Sequence, residues 1–140
     1  MAIRQLSVFV ENKKGTLHEI TDVLAQSGID LRSMSIADTS DYGIVRIIAS
    51  EPERAKEILN AAGHAANVRS VTAFAVPDQP GGLAKVLSIL EENGIDIEYM
   101  YALVTKTVGK AYAVMRTNDE EKAEKLLNDN GIELLDEAHI

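Results

Sequence analysis

The chain has 140 residues, of which 46% are apolar and 26% charged, an ordinary composition for one large globular domain or two small ones. Its net charge is −8, and residues 71–140 carry 13 acidic against 6 basic side chains, which disfavours nucleic acid and membrane surfaces as partners. There is no cysteine, which excludes disulfides and thiol chemistry, and no long apolar run or signal-peptide core, so we expect a cytoplasmic protein.

The first half of the chain predicts a strand, a helix, a strand pair, a second helix and a last strand. Apolar residues alternate along 5–10 and then recur at helical spacing from Leu17 to Leu24. The pattern Ser50-x-x-Glu53 predicts a capping box at the start of the second helix. The other predicted elements are strands at 29–37, 43–49 and 66–71, with a turn at Ser40-Asp41-Tyr42-Gly43.

The second half repeats this order, because residues 11–35 align with residues 77–101 at an offset of 66. Later the offset becomes 68, where 55–63 aligns with 123–131. The identical pairs between positions 12 and 43 are Gly15/Gly81, Leu17/Leu83, Leu24/Leu90, Gly28/Gly94, Ile29/Ile95, Asp30/Asp96, Met34/Met100, Thr39/Thr105 and Gly43/Gly109. The predicted elements of this half are strands at 72–76, 95–104, 109–115 and 132–135, a turn at Thr107-Val108-Gly109, a helix along Leu83–Leu90 and a helix after a Thr117-x-x-Glu120 capping box.

The element order βαββαβ, present twice, predicts an α+β fold of two tandem ferredoxin-like modules, each with an antiparallel sheet and both helices on one face. We place the modules at residues 1–70 and 71–140. Residues 67–76 must supply both the last strand of the first module and the first strand of the second. Either one continuous strand serves both modules, which we favour, or the modules exchange elements.

Catalytic motifs are absent from the sequence, which contains no phosphate loop, no GxSxG, no HExxH and no dinucleotide fingerprint. The histidines His18, His64 and His139 are far apart in sequence, so we predict no metal site, and we predict no cofactor and no catalytic residue. Asp30 and Asp96 are repeated in both copies, and they are either acid/base groups or, more simply, hydrogen-bonding residues of a local turn.

The loop between the first strand and first helix has the same layout in both copies. An Asn or Asp stands three residues before a glycine, in Asn12-Lys13-Lys14-Gly15-Thr16 and in Asp78-Gln79-Pro80-Gly81-Gly82. Such a loop is either a tight turn with a helix cap or an anion site, where N–H groups at a helix start hold a carboxylate. The residues alone leave these two readings open.

The pattern N/D-x-x-G-x-L, followed by a helix and G-I-D/N-I/L, resembles the ACT domain. One copy consists of residues 12–17 with Gly28-Ile29-Asp30-Leu31, and the other of residues 78–83 with Gly94-Ile95-Asp96-Ile97. The second copy has the Pro-Gly that the family favours, whereas Lys14 replaces that proline in the first. Nearly the whole chain therefore resembles a stand-alone tandem ACT protein.

The resemblance implies a regulatory protein without catalytic activity that binds a small molecule, usually an amino acid, at the interface of two modules. ACT modules are attached to metabolic enzymes such as aspartokinase or form small regulatory subunits, so a metabolic enzyme is an implied partner. The alternative is a regulatory subunit that acts by protein contact and has degenerate ligand sites. The implied ligand-binding residues are Asn12, Gly15, Thr16, Asp30, Leu31, Asp78, Gly81, Gly82, Asp96 and Ile97.

In the expected mode of binding, the ligand carboxylate accepts hydrogen bonds from N–H groups near Gly15-Thr16 or Gly81-Gly82. Asn12 or Asp78, with Asp30 or Asp96, holds the ammonium group. The side-chain pocket is expected to be shaped by Leu31, Met34, Ile97 and Met100, although both methionines could equally fill the core. If φ at Gly15 and Gly81 is negative, a valine there should block the ligand and leave the fold intact.

The sheet face opposite the helices is unusually apolar in the predicted strands. Helix-facing positions such as Val8, Val10, Val45 and Ile47 form the core, but the opposite positions are not polar either. They include Ile44, Ile48, Tyr99, Tyr101, Tyr112 and Val114. A face of an antiparallel sheet that is exposed to water normally carries polar residues. We therefore expect this apolar face to be covered within the chain or by a second chain, with a homodimer favoured.

Overall fold

A computed structural model describes residues 2–38, 41–104 and 108–139. The chain divides into two compact units, a first unit at Arg4–Arg69 and a second unit that contains the residues from Ser70 onward and those before Arg4. The elements are β1 (Ile3–Glu11), α1 (Thr16–Gln26), β2 (Leu31–Asp38), β3 (Tyr42–Ala49), α2 (Pro52–Ala61), β4 (Ala65–Pro77), α3 (Gly82–Glu92), β5 (Ile97–Leu103), β6 (Lys110–Thr117), α4 (Glu120–Asp129), β7 (Leu134–Leu135) and a 3-10 turn (Glu137–His139).

The first unit has the strand order β2-β3-β1-β4, and its pairs β1–β3 and β2–β3 are antiparallel. Alternate residues of these strands, such as Leu6, Val8 and Val45, are buried against Ile20 and Leu24 of α1 and Leu59 of α2. Both helices therefore pack on one face, as the sequence predicts.

The second unit repeats this arrangement, with the order β4-β6-β5 and β7 paired with β4. Its core joins Phe74 and Met115 to Leu90 of α3 and Leu127 of α4, all without exposed surface. The α+β fold of two tandem βαββαβ modules is thus confirmed. The last strand of this unit is only two residues long.

Strand β4 runs for 13 residues without interruption, from Ala65 to Pro77. The favoured prediction of one continuous strand is confirmed, because this strand supplies the last strand of the first βαββαβ order and the first strand of the second. Its residues from Val71 to Val76 are all buried, in keeping with a run that contains Val71, Phe74 and Val76.

The offset between the two copies changes from 66 to 68 earlier than the sequence alignment indicates. In the first unit Val8 pairs with Val45 and Val10 with Gly43, whereas in the second Phe74 pairs with Ala113 and Val76 with Ala111. Gly43 is therefore equivalent to Ala111, and its match with Gly109 is a coincidence caused by two extra residues in the second hairpin. The Thr39/Thr105 pair and the turn residues Ser40 and Thr107 lie outside the described residues.

The two predicted capping boxes are not formed. The N-cap residue of α2 is Glu51, which makes no side-chain cap bond, and that of α4 is Asp119, whose carboxylate accepts from the N–H of Lys122 at 3.1 Å. Only half of the second box exists, since the Thr117 N–H donates to Glu120 at 2.8 Å. Each helix starts later than predicted, with its N-cap one position after Ser50 in α2 and two positions after Thr117 in α4.

The sheet face opposite the helices is partly buried in the single chain. Ile48 and Val114 have 2% and 0% of their surface exposed, and Ile44, Tyr99, Tyr101 and Tyr112 are half-buried. The prediction that this face is covered is confirmed at Ile48 and Val114. The homodimer stays a prediction.

Candidate functional site

The loop that joins β1 to α1 is a tight turn tied to the neighbouring hairpin. The N–H of Asn12 donates to the carbonyl of Asp41 at 2.9 Å, and the N–H of Lys13 donates to the carbonyl of Glu11 at 2.9 Å. Gly15, the N-cap of α1, has φ of +89°, a left-handed conformation that favours glycine. The repeated glycine is therefore required by the turn itself.

The loop from β4 to α3 has the same geometry in the second unit. The N–H of Asp78 donates to the carbonyl of Gly109 at 3.1 Å, and Gly81 has φ of +85°. Because φ is positive at both glycines, the condition for a clean valine substitution is not met. Gly82 has a separate constraint, since a Cβ there would collide with the carbonyl oxygen of Pro77.

Two of the N–H groups predicted to hold a carboxylate already have acceptors. Thr16 N–H donates to the carbonyl of Lys13 at 3.4 Å, and Gly82 N–H donates to that of Gln79 at 3.1 Å. An anion at these loops would therefore use the next amides along the helices, at positions 17–18 and 83–84, which have no acceptor within the helix.

A cavity of about 180 Å³, here called the loop cavity, lies beside the first loop. It brings together two predicted site residues, Asn12 and Thr16. Its apolar lining comes from four different elements and consists of Val10, Leu17, Ile36 and Val45. Leu31 and Met34 were expected to shape the side-chain pocket, but Ile36 lines this cavity in their place. Ile36 pairs with Val45 at the end of β2 that is nearer to the loop. In the second unit Met100 packs against the core, the simpler of its two expected roles.

A larger cavity of about 410 Å³, here called the α1–α2 cavity, shares Val10, Glu11, Lys13 and Thr16 with the loop cavity. Its lining residues are Phe9, Val10, Glu11, Lys13, Thr16, Glu19, Tyr42, Ala62, Gly63, His64 and Ala65. His64 Nε2 lies 3.1 Å from Oε1 of Glu19, and Lys13 Nζ lies 3.1 Å from Oε2 of Glu11. Neither His64 nor Glu19 is among the predicted site residues, because 45 positions separate them and no local pattern joins them.

The equivalent cavity of the second unit has about 260 Å³ and is lined by Ala75, Val76, Pro77, Gly109, Lys110, Gly131 and Glu133. Lys110 Nζ donates to Oε2 of Glu133 at 2.7 Å. The hydrogen bond to the Glu133 carboxylate, together with its negative charge, raises the pKa of Lys110 above the ordinary value of 10.5.

The predicted residues at the strand starts lie at the opposite end of each unit from the loops. Leu31 pairs with Ala49, whereas Glu11 pairs with Tyr42, and the seven steps along β3 from Tyr42 to Ala49 span roughly 24 Å. Ile97 likewise pairs with Thr117 at the far end of β6. Within one unit, the structure therefore does not bring the strand starts together with the loops.

Asp30 and Asp96 hold the chain that leads into the next helix. The N–H of Asp30 donates to Ser50 Oγ at 3.1 Å, and the N–H of Asp96 donates to Asn118 Oδ1 at 3.0 Å. The carbonyl of each aspartate accepts the N–H of the same partner. These backbone bonds join residues 20 and 22 positions apart, so they are not the local turn that the sequence left open, and the Asp30 carboxylate lies 3.3 Å from Nε of Arg32.

Among the described residues, no helix is both long and apolar enough to cross a membrane. In the same part of the chain, no three His, Asp or Glu side chains converge as metal ligands would.

Comparison with known proteins places these features in context. A sequence profile of the family described as ACT domain pair matches residues 1–140. The crystal structure of protein BT0572 from Bacteroides thetaiotaomicron is 39% identical, with a TM-score of 0.90 over 96% of this chain and 92% of that chain. The ligand-free regulatory subunit of aspartate kinase from Thermus thermophilus shares the fold at 15% identity, with a TM-score of 0.64 over 90% of this chain and 91% of that chain. No curated protein sequence matches the chain.

Proposed function

The chain belongs to the ACT domain-pair family, and from that premise we propose that it is a regulatory protein that binds an amino acid and modulates a metabolic enzyme. The proposed ligand contacts are the residues of the first loop, Asn12, Gly15 and Thr16. The Thermus thermophilus relative with the same fold is a regulatory subunit of aspartate kinase, which agrees with a regulatory role.

The observation that supports this proposal is that residues of the first loop line two cavities. Asn12 lines the loop cavity, and Thr16 lines both cavities. Polar groups of the loop therefore line concave surface next to the positive end of the α1 dipole, which favours a carboxylate by about 0.3–1 kcal/mol. The apolar lining of the loop cavity is suited to an uncharged side chain.

The strand-start residues Asp30, Leu31, Asp96 and Ile97 can join such a site only from a different module, because they lie far from the loop of their own unit. This requirement connects the ligand proposal with the proposed homodimer, in which a second chain could supply them. A ligand held between modules would bias their arrangement, and a partner enzyme could respond to that arrangement. The effect cannot exceed the difference in the ligand's affinity for the two arrangements.

Thermal denaturation in the presence of each common amino acid tests the proposal. A ligand that binds only the folded chain adds about 2.7 kcal/mol to the unfolding free energy at 100 times its Kd. We expect at least one amino acid to raise the Tm and the others to leave it unchanged. If none raises it, the amino-acid proposal is wrong, and the alternative of a subunit that acts by protein contact is favoured.

A matched pair of threonine variants locates the binding site. Thr16→Val changes a residue that lines both cavities, so it should weaken the thermal shift. Thr21→Val removes a hydroxyl that donates to the carbonyl of Leu17 at 3.1 Å within the same helix and lies outside both linings, so it should preserve the shift. Equal shifts in both variants would place the ligand away from the first loop.

A further inference from the structure

The α1–α2 cavity and its equivalent differ in what occupies the same place in the two units. By the strand register, Tyr42 is equivalent to Lys110, and by the distance from Gly63 and Gly131, Ala65 is equivalent to Glu133. The second unit thus places an ion pair where the first has an aromatic ring and a methyl group. The cavity of the first unit is correspondingly larger, with about 410 Å³ against about 260 Å³.

The first cavity also contains paired groups, since Lys13 Nζ lies 3.1 Å from Oε2 of Glu11 and His64 Nε2 lies 3.1 Å from Oε1 of Glu19. The Lys13 ammonium group has three donors, so it can contact an acceptor besides Glu11. Lys13 belongs to the loop that precedes α1, and Glu19 belongs to the first turn of α1, where it contacts His64. Glu19 bonds His64 through Oε1 only, and a carboxylate has about four acceptor sites, so it can accept a further donor. The cavity therefore offers a cation and an anion that a ligand could contact at the same time.

The helix ends add charges of the same kind. Helix α1 begins at Thr16 on one wall, and its N-terminus favours negative groups. Helix α2 ends at Ala61, and the residues that follow it, Ala62 to His64, form another wall, where the C-terminus favours positive groups. Phe9 and Tyr42, which are 60% and 64% exposed, add apolar surface to the lining.

We propose that the α1–α2 cavity of the first unit binds a zwitterionic small molecule, and that Lys110 and Glu133 occupy the equivalent place in the second unit and exclude a ligand there. The ligand carboxylate lies toward Lys13 and the start of α1, and its ammonium group lies toward Glu19. The cavity volume falls in the range of about 300–1,000 Å³ that is typical of small-molecule sites. This inference rests on the proposed function and adds a stoichiometry of one ligand per chain.

The test exchanges the two pairs between the units and measures binding by isothermal titration with each of the twenty common L-amino acids. The wild type should bind one equivalent per chain. Tyr42→Lys combined with Ala65→Glu transfers the ion pair to the first unit and should weaken binding by roughly tenfold or more, as should Glu19→Gln. Lys110→Tyr combined with Glu133→Ala should keep the first site and can add a second.

Ligand analogues test the charge assignment. The amine that lacks the carboxylate and the N-acetyl derivative that lacks the ammonium charge should both bind roughly tenfold or more weakly than the parent amino acid. Circular dichroism and Tm confirm that each variant is folded. If the Tyr42→Lys, Ala65→Glu variant fails to fold, the amino-acid affinity of Glu19→Gln alone tests the inference.

Three results overturn the inference while leaving the proposed function intact. The first is binding of an amino acid with unchanged affinity in the folded Glu19→Gln variant. The second is a wild-type stoichiometry of two, and the third is loss of binding in the Lys110→Tyr, Glu133→Ala variant. Failure of every amino acid to bind the wild type overturns both the inference and the proposed function.

Discussion

The ammonium group of Lys110, the first residue of β6, lies 2.7 Å from the carboxylate of Glu133, the residue just before β7. The equivalent positions of the first unit hold two uncharged residues, Tyr42 and Ala65. The interaction is therefore a property of one copy of the repeat. It can be measured independently of any ligand.

Titration of Lys110 is expected to reveal this pair. Because Glu133 raises the pKa of Lys110 above 10.5, the pair stabilises the folded state fully below pH 10.5 and ceases to do so as the pH rises through the folded-state pKa. The ¹³Cε resonance of Lys110 should thus titrate at higher pH in the wild type than in Glu133→Gln. Equal midpoints in the two proteins would show that the pair does not persist in solution.

Removal of the N-cap of α4 should destabilise the protein more than removal of the equivalent residue of α2. Asp119 accepts a hydrogen bond from the Lys122 N–H, so Asp119→Ala should cost about 0.5–2 kcal/mol of unfolding free energy. Glu51 makes no cap bond but forms an exposed ion pair with Arg54 at 3.0 Å, which is worth roughly 0–1 kcal/mol. Urea denaturation of both alanine variants measures the difference, and a larger cost for Glu51→Ala would contradict the assignment.

Substitution of the loop glycines should cost stability through the backbone alone. No atom lies within 4 Å of a Cβ built at Gly15 or Gly81, but φ is positive at both positions. Gly15→Ala and Gly81→Ala should therefore each lose roughly 1–2 kcal/mol, and Gly15→Asn should lose less because asparagine tolerates this conformation better. Chemical denaturation of the three variants checks this order. An alanine variant as stable as the wild type would show that φ at that glycine is negative in solution.

The fold could be predicted from the sequence because it depends on local periodicity that is present twice. Leu24 and Leu90, for example, are identical in the repeat and both are fully buried. The alignment of Gly43 with Gly109 was wrong, because two identical residues do not show where an insertion lies. The strand register shows that the second copy has two extra residues before Lys110. The N-cap of α4 was predicted wrongly for a related reason, since Thr117 and Asp119 are both favourable cap residues and lie two positions apart.

The candidate site was predicted only where it is contiguous in sequence. The loop residues Asn12 and Thr16 form part of a repeated motif, and they do line cavities. Ile36 and His64 come to the same loop from other elements, through the end of a strand and the turn after a helix. Contacts of this kind depend on tertiary packing, which leaves no pattern in the amino-acid sequence.

The homodimer can be tested through the apolar sheet face, on which Phe9 is a large residue with 60% of its surface exposed. Phe9 pairs with Ile44, one of the residues of this face, so a charge at Phe9 would have to be buried in any dimer that uses it. We expect light scattering at micromolar concentration to give twice the chain mass of 15.2 kDa for the wild type, and the mass of one chain for Phe9→Glu. Val108→Glu introduces the same charge at a residue that is 96% exposed, outside the strands, and should leave the dimer intact. A wild-type mass of one chain would contradict the dimer, and a dimeric Phe9→Glu variant would place the interface elsewhere.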